Sequence, residues 1–171
     1  MTIETNFLNY AVEKLTQLSG RIETCLGKLT PEQIWMRGAA NQNAVGNLVL
    51  HLNGNVRQWI LTGVGGAPNA RDRDAEFAAR GGTDPVVLGT MLREAVEGAV
   101  AIMRSLPHAR LTEHTSIQGH DVTLLEAIFH VVEHFSGHAG QIIFITKMMT
   151  GDDLGFYSYL SKPQPHSGKT A

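Results

Sequence analysis

The chain has 171 residues, a formal net charge of -2, 18% charged residues and one cysteine, Cys25. That length supports one well-buried core, the missing basic excess disfavours nucleic-acid binding, and a lone cysteine excludes both an internal disulfide and a thiolate-rich zinc site. No run is long and apolar enough for a membrane span, and the N-terminal MTIETNFLNYAVEKL lacks the basic-then-apolar order of a secretory leader, so a cytoplasmic protein without membrane or nucleic-acid partners is expected.

Phe7, Ala11, Leu15, Leu18, Ile22, Cys25 and Leu29 recur every three or four residues and predict a first amphipathic helix over 5–29. Cys25 falls on its apolar face and reads as a small buried hydrophobe. Thr30-Pro31 opens a short turn, PEQIW, whose Trp35 is expected to pack on the main body. The asparagine-rich 41–43 stretch offers caps for a second helix, along which Val45, Leu48, Leu52, Val56 and Trp59 keep the helical period to about residue 62. His51 lies on its inner side, either as a core histidine satisfied by one hydrogen bond or as a ligand. Asn55, one turn on, could orient His51 or contact a substrate.

Residues 63–83 form a Gly- and charge-rich connection, long enough to lie across a site or to span a bundle. Within it RDRDAEF reads as an isolated helical turn, with Asp72, Asp74 and Glu76 on a solvated face. Asp84-Pro85 caps a third helix whose apolar face runs from Leu88 to Leu106, where Pro107 stops it. A short hairpin about Gln118-Gly119 follows, with His108, His114 and His120 expected at the surface.

The fourth helix is marked at both ends, by the Thr123/Glu126 capping pair and by Gly151. It carries His130, His134 and His138 at four-residue steps, so His134 and His138 point to one side, close enough to share one metal ion. Phe156, Tyr157 and Tyr159 are expected to fold back onto the helices or onto a neighbouring subunit. Residues 1–160 read as a single domain and 161–171 as a flexible polar tail. Four long helices without a persistent strand make an all-α, four-helix bundle. There His51, His134 and His138 would converge as a three-histidine site with open positions.

The stretches GNLVLHLNGNVRQWI and EAIFHVVEHFSGHAGQIIFITKMM resemble the DinB/YfiT-like superfamily of metalloenzymes, with the H-x-x-x-H-x-G-Q-I run standing at His134 to Ile142. The resemblance implies a long crossover between helices two and three, a nickel or zinc ion on His51, His134 and His138, and a homodimer. It also implies a small-molecule substrate, with a low-molecular-weight thiol as cofactor in some relatives. The activity it suggests is a metal-dependent S-transferase or hydrolase working through a metal-bound water or thiolate; the alternative is a non-catalytic metal-binding stress or carrier protein. His130 and Asn55 are then assigned to the second shell or pocket wall. Gln141 becomes a candidate donor behind His138, or a plain polar residue. Arg57 and Arg71 are candidates for holding an acidic cofactor, whereas Glu133 is expected on a different helix face from its neighbour His134.

Overall fold

The computed structural model describes residues 1–161 of the chain; of the tail expected at 161–171, all but the first residue lies outside the described residues. Helix α1 runs Ile3–Leu26. Thr2 sets its start, with Oγ1 accepting the Thr5 N–H at 3.2 Å, and the helix closes early because the Lys28 N–H turns back to Cys25 O at 3.0 Å. Leu29 is buried from beyond the helix end, and burial raises the pKa of the Cys25 thiol, which sits in the core as expected.

The short helix α2, Pro31–Trp35, brings Trp35 against α3, Val45–Val56. There a Cβ at Gly46 would come within 2.8 Å of the indole, so only glycine fits, and the indole Nε1 donates to Thr83 O at 3.1 Å. The start of α3 is set by Asn47 rather than by the asparagines before it: Asn47 Oδ1 accepts the Ala44 N–H at 3.1 Å from inside the first turn. Helix α3 then runs without a break into a π-helical stretch, Arg57–Val64. The connection that follows contains one isolated helical turn, α4, Arg73–Ala78, capped by Asp72.

Helix α5, Pro85–Ser105, begins at Asp84, whose Oδ1 accepts the Val86 N–H at 2.8 Å. Strands β1, His114–Ile117, and β2, His120–Thr123, form the antiparallel hairpin, with Gln118 and Gly119 both at positive φ in the turn. His108, His114 and His120 are exposed, as expected. The chain passes directly from β2 into α6, Leu124–Thr150, through the reciprocal Thr123 and Glu126 cap, and ends it on a left-handed Gly151. Thr123→Ala is expected to lower stability by about 1 kcal/mol, read as a fall of about 2–4 °C in thermal midpoint.

Helix α1 packs on α5 and α6, and α3 packs on the same two helices. Leu15, Ile22, Leu52, Leu92, Ile128 and Phe135 form the fully buried centre of the single core they enclose. Beyond α6, Phe156 and Tyr157 return to α1, where the Arg21 guanidinium lies over both rings and donates to the Tyr157 hydroxyl at 3.2 Å. Among the described residues no helix is long and apolar enough to cross a membrane.

Candidate metal centre

Helix α3 presents His51, which is buried, to the face of α6 that carries His134 and His138, both half-buried. One donor atom from each of the three lies within 4.8 Å of the others. His51 Nε2 and His134 Nε2 are 2.9 Å apart, and the His134 and His138 ring centroids 4.5 Å apart. Metal–nitrogen bonds of about 2.0–2.1 Å require adjacent donors about 3 Å apart, so small side-chain adjustments suffice to seat one ion.

The tautomers favour a cation. His51 Nδ1 lies 2.9 Å from Glu76 Oε2, a carboxylate oxygen that can only accept, and 3.0 Å from Arg71 Nη2; with its proton shared with Glu76, the Nε2 lone pair is turned towards α6. His138 Nδ1 donates to Gln141 Oε1 at 2.8 Å, so Gln141 meets the ring as an acceptor and frees the other nitrogen in the same way. Imidazoles oriented through their far nitrogens by a carboxylate or an amide are the usual arrangement behind a bound metal. Burial above all, and then the neighbouring imidazoles, pushes the His134 pKa down to about 4. Burial also lowers His138, against the opposing hydrogen bond to Gln141. Neutral imidazole is the ligating form.

Glu76 corrects the sequence reading. It is buried at 8% exposure, not on a solvated face. Burial alone would raise its carboxyl pKa, but hydrogen bonds from Arg71 and His51 overcome that and hold it below the usual carboxylate range. Arg71 grips the carboxylate twice, Nε to Oε1 at 2.7 Å and Nη2 to Oε2 at 2.8 Å, while Nη1 donates to Gln58 Oε1 at 3.0 Å. Gln58 Oε1 also accepts from Gln118 Nε2 of the hairpin, at 2.6 Å.

Asn47 anchors α4 from below, donating through Nδ2 to Glu76 O and Ala79 O, both at 2.9 Å. A Cβ at Gly54 would overlap Glu76 Oε1, so glycine is required where the ion pair meets α3. The signals available in sequence were the Asp72 cap and a glycine one turn from His51; neither reveals that the Glu76 carboxylate turns inward.

His130, Glu133, His134, Gly137, His138 and Gln141 line an open cavity of about 260 Å³ along α6. Exposed Glu133, one turn from both His130 and Gly137, reaches the rim of this cavity although it stands on a different helix face from its neighbour His134. His130 is a wall residue, its ring 4.1 Å from that of Trp59 and 5.5 Å from that of His134. Asn55 is buried on α3 one turn beyond His51, but the Nδ1 of His51 is held by Glu76 and the Asn55 Oδ1 has no partner among the described residues.

Arg71 is consumed by the ion pair and is not free for an acidic cofactor. Arg57 lines a separate cavity of about 400 Å³, behind the Arg71–Glu76 pair and away from His134 and His138.

The fold is DinB-like. It is similar to a DinB-like protein of Bacillus cereus ATCC 10987, at 16% identity over 81% of this chain and 90% of that one with a TM-score of 0.66. It is likewise similar to a DinB-like protein of Bacillus subtilis (YjoA), at 18% identity over 84% and 93% with a TM-score of 0.64. The chain belongs to the family described as "Protein of unknown function (DUF1572)", whose model matches residues 2–164. No protein of curated function matches it.

Proposed function

We propose that this chain is a metal-dependent enzyme whose ion is held by His51, His134 and His138, with zinc or nickel best suited to three imidazoles. The observation that supports it is the convergence of three imidazole donors, two of them held through the far ring nitrogen by an oxygen acceptor, beside an open cavity. When bound, a divalent ion on three neutral ligands supplies Lewis acidity and lowers the pKa of a water or thiol brought to it. Glu76 and Gln141 hold two of the imidazoles in the ligating tautomer. His130, its ring tilted against that of Trp59, walls one side, and Glu133 at the exposed rim is our candidate to accept a proton.

The cavity suits a small molecule, and its lining favours hydrolysis over transfer to an acidic thiol. Glu133 offers a base for water, while among the described residues no lysine or arginine lines the cavity to hold a thiol's carboxylates. We further read the four long helices as one bundle, a single domain over residues 1–160, in which the connection between α3 and α5 is the crossover that delivers Glu76. A cytoplasmic setting fits this reading.

The test is metal content by inductively coupled plasma mass spectrometry on untagged protein. About one ion per chain is expected in the wild type, lost in His51→Ala, His134→Ala and His138→Ala alike. Glu133→Gln should keep the ion and lose about 10²–10⁴-fold in hydrolysis of neutral esters and amides. No ion after incubation with zinc or nickel sinks the metal reading. A tightly held ion without turnover on any of them replaces the enzyme with a carrier.

A further inference from the structure

The cavity of about 400 Å³ between α3, its π-helical extension and the chain leading into α4 has no part in the histidine site. Arg71 and Glu76 belong to its wall, and the Glu76 carboxylate also holds His51. Its volume falls within the range of small-molecule pockets, about 300–1,000 Å³.

The polar side chains that line it present donors. Asn53 Oδ1 accepts from Arg57 Nε at 3.1 Å, and Asn69 Oδ1 accepts from the Arg71 backbone N–H at 3.2 Å. Gln58 Oε1 accepts from Arg71 Nη1 and from Gln118 Nε2. Because each partner is a donor, the accepting atom of each amide is its oxygen. None of the three NH2 groups has an acceptor among the described residues.

Arg57 adds the charge. It is exposed, it enters no ion pair among the described residues, and with Nε on Asn53 it keeps both Nη groups free. A guanidinium in that condition can take a carboxylate through two parallel hydrogen bonds. Two carboxylates line the same cavity: Glu76 is paired with Arg71, and Asp72 has one oxygen on the Ala75 N–H. With Asp72 nearby, the balance suits a single negative charge better than a phosphate dianion. Leu50, Leu61, Pro68 and Ala75 supply the apolar part of the wall.

We propose that this cavity binds a small organic acid, its carboxylate on Arg57 beside the Asn53 amide and its hydrocarbon body against Leu50, Leu61 and Pro68. The inference stands on this cavity and not on the ion, so organic-acid binding and metal content can fail separately.

Benzoate is the probe. Titrated into the full isotope-labelled chain, it should bind with a dissociation constant of about 1 mM or below and shift the side-chain NH2 signals of Asn53. Benzyl alcohol, which has the same body without the charge, and inorganic phosphate should each bind about tenfold or more weakly. Arg57→Gln removes the charge, and Asn53→Asp gives the guanidinium a counter-charge within the chain; each should weaken benzoate by about tenfold or more. The affinity should be the same before and after treatment with EDTA, which separates this site from a carboxylate bound directly to an ion on the histidines. The proposal is overturned by the absence of shifts up to about 10 mM benzoate, by equal affinity in the wild type and either variant, by binding lost with EDTA, or by benzoate binding no tighter than benzyl alcohol or phosphate.

Discussion

Glu76→Ala is expected to destabilise the chain by about 3–5 kcal/mol, because it leaves the Arg71 charge buried and unpaired. The Arg71 side chain is 4% exposed and places three nitrogens on Glu76 and Gln58, so water cannot replace the lost carboxylate without opening the contact between α4 and α3. His51 loses its acceptor at the same time and becomes free to change tautomer. Urea unfolding of the metal-free protein measures the loss. The milder Glu76→Gln keeps the volume and one acceptor oxygen, and should weaken ion affinity by about 10–100-fold while the chain stays folded. A chelator competition reads that directly. Equal ion affinity in wild type and Glu76→Gln would show that the carboxylate serves folding alone.

Acid is expected to unfold the metal-free chain through the same site. His134 takes a proton near pH 6.5 when unfolded but only near about 4 when folded. Between those values the unfolded state binds more protons, so stability falls as pH falls. The contribution is fully present above about pH 6.5 and gone below about 4. Between pH 7 and pH 5 the loss from this group is about 2 kcal/mol. The lowered pKa values of His138 and Glu76 act in the same direction. Urea midpoints at the two pH values measure the slope, and His134→Leu should flatten it. The loaded site should resist acid better than a surface histidine cluster, since an imidazole reluctant to protonate remains a ligand at pH 5.

Much of the helical frame was legible because its signals are local. The Thr123 and Glu126 cap, Gly151, the Asp84-Pro85 start and the Gln118-Gly119 turn each act within four residues, and each stands where the sequence placed it. The three histidines were legible for a similar reason: helical spacing fixes which side of α6 carries His134 and His138, and the apolar stripe of α3 fixes the side of His51.

What stayed hidden was set by tertiary contact. A carboxylate among the charges of RDRDAEF has no periodicity to reveal that Asn47 and Gly54 make a seat for it on α3. Arg71 looked free because its partners stand five and thirteen residues away, outside any helical repeat. Glu133 reaches the cavity rim through its offsets from His130 and Gly137, which its offset from His134 does not reveal.

The sequence distance across the site bears on when an ion can be captured. His51 is separated from Glu76 by 25 positions and from His134 by 83, so no short piece of the chain holds a complete donor set. During synthesis the α6 histidines emerge long after His51, and the set closes only when the last long helix docks. A half-made chain therefore lacks the His134 and His138 donors that would complete the set. An ion held there would be a seal on a finished protein rather than the seed of one.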